Sequence, residues 1–382
     1  MYRYKTHRGM NEEAHHHGRT SYFHSHDIMY RTWHAFGMCV ALYPLRRLGI
    51  LFFLCILIPS FSITSAQSAS ENDARFVRIG TGPAGGSYFP VGGLIANAIS
   101  NPPGSQPCDK GGSCGAPGVI AVAQSTNGSV ENIRRLTAGE VDLAFVQAGI
   151  AFRAMNMGDL YEGQKPLKKL RAVARLYPEL VHLVARQEKA ITSVKDLRSK
   201  RVAMGDPGSG TLFETESILE AYGVGLQDVE PSYGRPSEES ERLRQDQIDA
   251  LFFISGAPNQ LINRLLHDNK TALVPISEGG AERIVARSPF FSPGVLSKTV
   301  YPDMTEDVWT ISVDTLLVAT TDTPEPLIEA ITRAVWHPTN LRLYRKGNPQ
   351  AAALSWEKAI KGIGIPLHDG AQKVYFNFNQ SG

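Results

Sequence analysis

The chain has 382 residues, 42% of them hydrophobic, and 39 basic residues against 37 acidic ones give a formal net charge of +2. That is enough apolar material for two cores of ordinary domain size. The balanced charge leaves no electrostatic footprint for nucleic acid or for a strongly acidic partner.

Residues 1–37 are rich in His, Arg and Tyr, with His15, His16 and His17 adjacent. They show neither helical nor strand periodicity and read as a disordered extension, or as sequence upstream of a true start at Met29 or Met38. Arg46 and Arg47 then precede an apolar run at 48–58, and small residues follow up to Ala66. Over residues 38–66 this is the layout of a secretory signal peptide. The run is about half of the roughly 20 residues a spanning helix needs, so cleavage and release into the periplasm fits it better than a membrane anchor.

From Phe76 the pattern becomes strand, glycine turn, helix, repeated. Gly80, Gly82, Gly85 and Gly86 follow the first apolar strand and let backbone N–H groups approach a ligand at a helix N-terminus. Gly80, Gly82 and Gly85 spell G-x-G-x-x-G, the dinucleotide fingerprint, but no acidic residue ends a second strand about 20 positions on. A P-loop is also unsupported, because Gly86-Ser87 stands where Gly-Lys-Ser/Thr is required.

Cys39 and Cys55 lie in or before the signal, which leaves Cys108 and Cys114 in the exported chain, separated by DKGGS. In an oxidising compartment they read as one local disulfide. A metal pair is the alternative, poorly served because no His or second Cys pair lies near in sequence.

Residues 119–126 are apolar and β-branched, and Asn127, Gly128 and Ser129 turn them into a helix that stops at Gly139. A buried strand at 143–147 and a longer one at 171–186, interrupted by Pro178, follow. A second unit repeats the layout: strand, DPGSGT, then a helix over about 212–222 with Thr211 and Glu214 as a capping box. Leu136, Asp142 and Phe145 have the same spacing as Leu243, Asp249 and Phe252, once per unit. The strand at 308–322 is expected to pair with 181–187 as a two-strand hinge, and helices over about 325–336 and 351–360 complete the outer layer. Alternating strands and helices predict parallel α/β sheets, with a ligand cleft between two lobes.

Six segments in this order, GTGPAGGSYFP, TNGSVENIRRLTAGEVDLAFVQ, ARLYPELVHLV, DLRSKRVAMGDPGSGT, QIDALFFISGAPN and IPLHDGAQKVY, resemble the TAXI class of extracytoplasmic solute receptors, which serve TRAP transporters. The resemblance covers about residues 76–375. It implies a type II periplasmic-binding-protein fold, with lobe 1 at 75–178 plus 310–382 and lobe 2 at 179–309. The Cys108/Cys114 insertion is similar to one in a proteobacterial branch of that class. The chain departs from the pattern at Asp246, where glycine is usual, and at Gly149, where Asp is frequent.

Carried over position by position, the resemblance implies a ligand site from Ser87, Tyr88, Gly128, Ser129, Asn132, Gln147, Tyr177, Glu179, Gly208, Ser209, Gly210, Thr211, Gly256 and Pro258. Converging helix N-termini favour a carboxylate without a buried Lys or Arg. Bland readings stand beside these: Thr211 as a cap, Tyr177 as a core aromatic, Glu179 as a surface charge after a proline, Arg175 as solvent-exposed, Glu216 as a surface acid, His368 as a turn residue. Ser209 lacks the glycines of G-x-S-x-G and no nucleophile–base motif is present. The expectation is therefore a monomeric binding protein, not an enzyme, without cofactor or metal. It takes a small anionic solute, a dicarboxylate or acidic amino acid, to a TRAP permease. The alternatives are a nicotinamide-dependent oxidoreductase, or the same fold feeding a membrane sensor or an ABC importer.

Overall fold

The computed structural model describes residues 74–378 apart from Glu162 and Asn269. The extension at 1–37 and the signal peptide at 38–66 lie outside the described residues. In chain order come β1 (Arg75–Gly80), α1 (Tyr88–Ile99), the short pair β2 (Ser100–Asn101) and β3 (Ala116–Pro117), β4 (Val119–Gln124), α2 (Ser129–Thr137), β5 (Leu143–Gln147), α3 (Ala148–Asn156) and the long β6 (Leu170–Arg186). Then follow β7 (Arg201–Ala203), α4 (Gly210–Ala221), β8 (Glu230–Ser232), α5 (Pro236–Arg244), β9 (Ala250–Ser255), α6 (Gln260–His267), β10 (Thr271–Leu273), α7 (Glu278–Arg287) and β11 (Phe291–Leu296). The chain returns through β12 (Val308–Thr320) to α8 (Glu325–Val335), α9 (Pro338–Gly347) and α10 (Asp369–Phe378).

Among the described residues, ten strands share one sheet, ordered β4-β1-β5-β12-β6-β9-β7-β8, with β10 on β6 and β11 on β12. β1 is parallel to β4 and β5, and β7 is parallel to β8 and β9, whereas β12 runs antiparallel to β5 and β6. Two parallel blocks are thus bridged by one antiparallel pair, the expected α/β architecture of a type II periplasmic-binding-protein fold. Successive side chains of a strand face opposite ways. Phe145 of β5 accordingly packs with Val77, Ile95 and Ile331, while Val146 packs with Ile133, Ile150 and Leu316 on the other face. β9 does the same in the second block, Phe252 joining Leu183, Val202 and Ile218 while Phe253 joins Leu243, Leu265 and Tyr301. Apolar layers on both faces explain why these strands read as continuous hydrophobic runs.

Several local expectations are corrected. β12 pairs with β6 over Leu170 to Leu180, not over 181–187, which instead pairs with β9 and β10. The register shifts between Asp314 and Leu316, next to the crossing at Pro178. There Arg175 is no solvent-facing charge: its Nε and Nη2 each lie 2.6 Å from a carboxylate oxygen of Asp314. Residues 351–360 form two short 3-10 turns, Ala351–Ala353 and Trp356–Lys358, and the outer layer is built by α9 and α10. His368 is buried, its Nδ1 accepting from Gly370 N at the start of α10.

Cys108 and Cys114 are disulfide-bonded, with their Cα atoms 4.8 Å apart. The fold also brings a histidine that sequence distance hides, since His337 Nε2 lies 3.8 Å from Cys108 Sγ. Its Nδ1 accepts the N–H of Thr339 as a helix cap, and bonded sulfurs offer no thiolate, so the trio serves as a staple.

Candidate functional site

The site forms where β6 passes from one block to the other. Pro178 cannot donate to a ladder and sits at the crossing, and Glu179 follows it, only 2% exposed. Ser87 Oγ donates to Glu179 Oε1 at 3.1 Å, and Tyr88 Oη and Gln147 Nε2 donate to Oε2 at 2.9 and 3.3 Å. Burial lifts the carboxyl from its ordinary 4.5 to about 7, with those three donors pulling the other way. Burial and the Glu179 charge together push the Tyr88 and Tyr177 hydroxyls well above their usual range. The reading of Glu179 as a surface charge is overturned.

Three helix N-termini meet around it. α1 opens at Ser87, whose hydroxyl caps no helix N–H and instead links Glu179 to the N–H of Gly256 in the second block, 3.1 Å away. Tyr88 packs its ring 5.4 Å from that of Phe145. α2 opens after Gly128, whose φ of 124° suits glycine alone. The Val130 and Glu131 N–H groups donate across the cleft to the Gly208 carbonyl at 3.1 and 3.0 Å, and Ser129 Oγ accepts from Gln147 N. α4 opens at Ser209, not Thr211: Ser209 Oγ accepts from Leu212 N and donates to the Asp206 carbonyl. The predicted Thr211–Glu214 capping box is therefore absent; Thr211 Oγ1 accepts from Ile254 N and Glu214 points elsewhere. Gly210 is pressed against Gln147, since a Cβ there would lie 2.0 Å from Gln147 Oε1.

A cavity of about 50 Å³ remains at this meeting point, room for a handful of waters at roughly 10–15 Å³ each. Of the residues the resemblance implied, Ser87, Tyr88, Gly128, Ser129, Gln147, Glu179, Ser209, Gly210 and Thr211 line this cavity. Sequence reasoning missed Asp206 and the end of β9, where Phe252, Phe253 and Ile254 form the floor; the DPGSGT turn and the strand running into SGAPN were the available signals.

Five expected residues lie outside the lining. Asn132 is buried as a structural tie, its Nδ2 donating to the Thr81 and Phe145 carbonyls while Oδ1 accepts from Thr126. Tyr177 packs in the first block's core, the bland alternative. Gly208 acts through its carbonyl as a latch between blocks. Gly256 and Pro258 border a neighbouring groove of about 480 Å³ that also includes Asn259, Arg264 and Gln350. Two further latches close there, Asn259 Nδ2 to the Gly85 carbonyl and Gln350 Nε2 to the Pro258 carbonyl.

The expectation that helix N-termini await an anion needs a physical amendment. Part of the α2 terminus is already satisfied by Gly208, and a carboxylate of the protein itself, Glu179, stands among all three. The described lining holds Glu179 and Asp206 and no Lys, Arg or His. At α4 the N–H pair of Gly210 and Thr211, its first two residues, has no intrahelical partner and is open to a ligand.

Among solved structures, similarity is found to the periplasmic aliphatic sulphonate binding protein SsuA of Escherichia coli, at 14% identity over 80% of this chain and 84% of that one, with a TM-score of 0.39. MatC of Rhodopseudomonas palustris, solved with malate bound, is 15% identical over 80% of this chain and 98% of its own, with a TM-score of 0.46. An ancestral arginine-binding protein bound to arginine is 14% identical over 71% and 97%, with a TM-score of 0.41. The family model that matches spans residues 79–377. By that match, over most of its length, the chain belongs to the NMT1-like family.

Proposed function

We propose that this chain is an extracytoplasmic solute receptor that captures a small carboxylate-bearing solute, the class of dicarboxylates and acidic amino acids, and delivers it to a TRAP-type permease. One observation carries the reading: helix N-termini from both blocks meet at a small cavity between them, and among the described residues only β6 and β12 run through both. Residues 75–178 with 310–382 act as one lobe and 179–309 as the other, closing on the solute by bending those two strands. The latches from Gly208, Ser87 and Asn259 are the contacts such closure makes. The TRAP partner rests on the six ordered segments of the TAXI resemblance.

Binding is favoured over catalysis because the lining's hydroxyls are engaged structurally, Ser209 capping α4 and Ser87 tying Glu179 to Gly256 N. A nicotinamide cofactor is disfavoured by charge, since pyrophosphate at the α1 N-terminus would stand beside Glu179. Among the described residues no helix is long and apolar enough to cross a membrane.

Mass spectrometry of small molecules retained by the purified exported protein, followed by calorimetry with the molecule found, tests the reading. A carboxylate-bearing solute should be retained and should shrink the radius of gyration in X-ray scattering. Absence of any retained or titratable solute would overturn it.

A further inference from the structure

We propose a second binding site, for a primary amine with an apolar body, where α3 of the first block faces α4 and the start of β11 in the second. It is separate from the cavity beside Glu179 and does not depend on the receptor reading. A pocket of about 300 Å³ opens there, and roughly half that volume is enough to take up a benzene ring. Glu214 of α4 lines it, 7% exposed, and among the described residues no donor hydrogen-bonds its carboxyl. The Arg153 charge on α3 acts on Glu214 only from a distance, because Nη2 of Arg153 is held 2.8 Å from Asp159 Oδ2 and its guanidinium carbon lies 5.6 Å from the centre of the Phe213 ring. A buried carboxyl without a donor is a free-energy cost that a bound donor would recover.

The lining selects the occupant. An ammonium brings three N–H donors and the charge that an ionised Glu214 lacks, whereas an alcohol brings one donor and no charge, and a second carboxylate would be repelled. At the rim, exposed Arg287 and Glu220 are of opposite sign, and Arg153 is neutralised by Asp159, which leaves Glu214 as the unpaired acid. The rest of the wall suits an apolar body: Phe152 of α3 and Phe290 before β11 have ring centroids 4.9 Å apart, and Ile284 of α7 and Phe291 lie beside them. Desolvation has pushed the Glu214 carboxyl up to about 7, so an ammonium that pairs with it displaces a proton to solvent. Because α3 belongs to one block and α4 and β11 to the other, the occupant touches both, and its binding is coupled to how they meet.

The test is calorimetric titration of the full exported chain at pH 7 with three probes of one shape: phenethylamine, 2-phenylethanol and 3-phenylpropionate. One phenethylamine should bind per chain, at least about tenfold more tightly than either of the others, the factor one charged hydrogen bond supplies. Its binding heat should vary with the ionisation enthalpy of the buffer, which reports the displaced proton. Glu214→Gln should abolish the proton release and bring the three probes to similar affinity. Ser217→Phe, which fills the pocket from the next turn of α4, should block all three and keeps the test alive if Glu214→Gln does not fold. Failure of phenethylamine to bind, equal binding of the three probes, or a preference that survives in Glu214→Gln overturns the inference. A preference lost in Glu179→Gln but kept in Glu214→Gln would put the amine in the other cavity and overturns it as well.

Discussion

Glu214 offers a quantitative test of how the two blocks meet. It lies on α4, 7% exposed, with its Oε1 2.9 Å from where a Cβ on Gly149 would stand, at the second residue of α3 in the other block. Desolvation lifts its carboxyl from 4.5 to about 7, the Arg153 charge opposing. At about 1.4 kcal/mol per pKa unit, holding the ionised form in the native state costs up to about 3 kcal/mol. The sign follows from linkage: native protein keeps a proton that the unfolded chain releases. Stability from this group is therefore fully present below about pH 4.5, falls as pH rises and is gone above about pH 7.

Glu214→Gln, neutral at every pH and nearly the same shape, should stabilise the protein by about 1–3 kcal/mol at pH 8 and change it by less than about 0.5 kcal/mol at pH 4. In a chain of this size that is roughly 2–6 °C in melting temperature. Circular-dichroism melts of both proteins at the two pH values measure it. Glu179, whose carboxyl is raised in the same direction, is present in both proteins and cancels. A variant no more stable than wild type at pH 8 would refute the reasoning and show that the α3 N-terminus holds Glu214 ionised.

Gly210→Val should leave the melting temperature within a few degrees but abolish solute-induced compaction in X-ray scattering, because its Cβ would meet Gln147 Oε1 at 2.0 Å and Ser129 Oγ at 3.1 Å. Asn132→Ala strips three buried hydrogen bonds and should cost about 2–4 kcal/mol in urea denaturation, with solute affinity in calorimetry unchanged within threefold. Replacing Cys108 and Cys114 by Ser opens a loop of sequence separation 6, which chain entropy values at about 2 kcal/mol; thermal melts should show that loss and titrations no change in affinity.

The βα units were legible because each strand is buried on both faces and each turn carries glycine or a capping residue. The register of β12 was not, since apolar character runs the whole length of 171–186 and cannot choose which stretch pairs. α9 begins at Pro338 and is short, whereas the Ala-rich 351–360 segment invited a helix that Ser355 and the tie between Asn348 and residues 350 and 351 break into turns. At the cavity, most of the implied residues on glycine turns fall in the lining while Gly208 and Gly256 do not, and roles set by the opposite block were not legible. Nothing local marks Gly208 as the acceptor for α2, Asp314 as the partner of Arg175, or Glu179 as the anion among the helices. Glu216, read as a surface acid, is half-buried on α4, and desolvation raises its carboxyl.

β6 ends at Arg186 and β12 begins at Val308, so everything between them is one uninterrupted stretch inserted between the two strands that cross. Exchange of that single stretch with a relative would replace the α4 wall and the β9 floor together, while Ser87, Tyr88, Gln147 and Glu179 stay with the recipient. Recombination at two points would thus exchange one wall and the floor of the cavity in a single step.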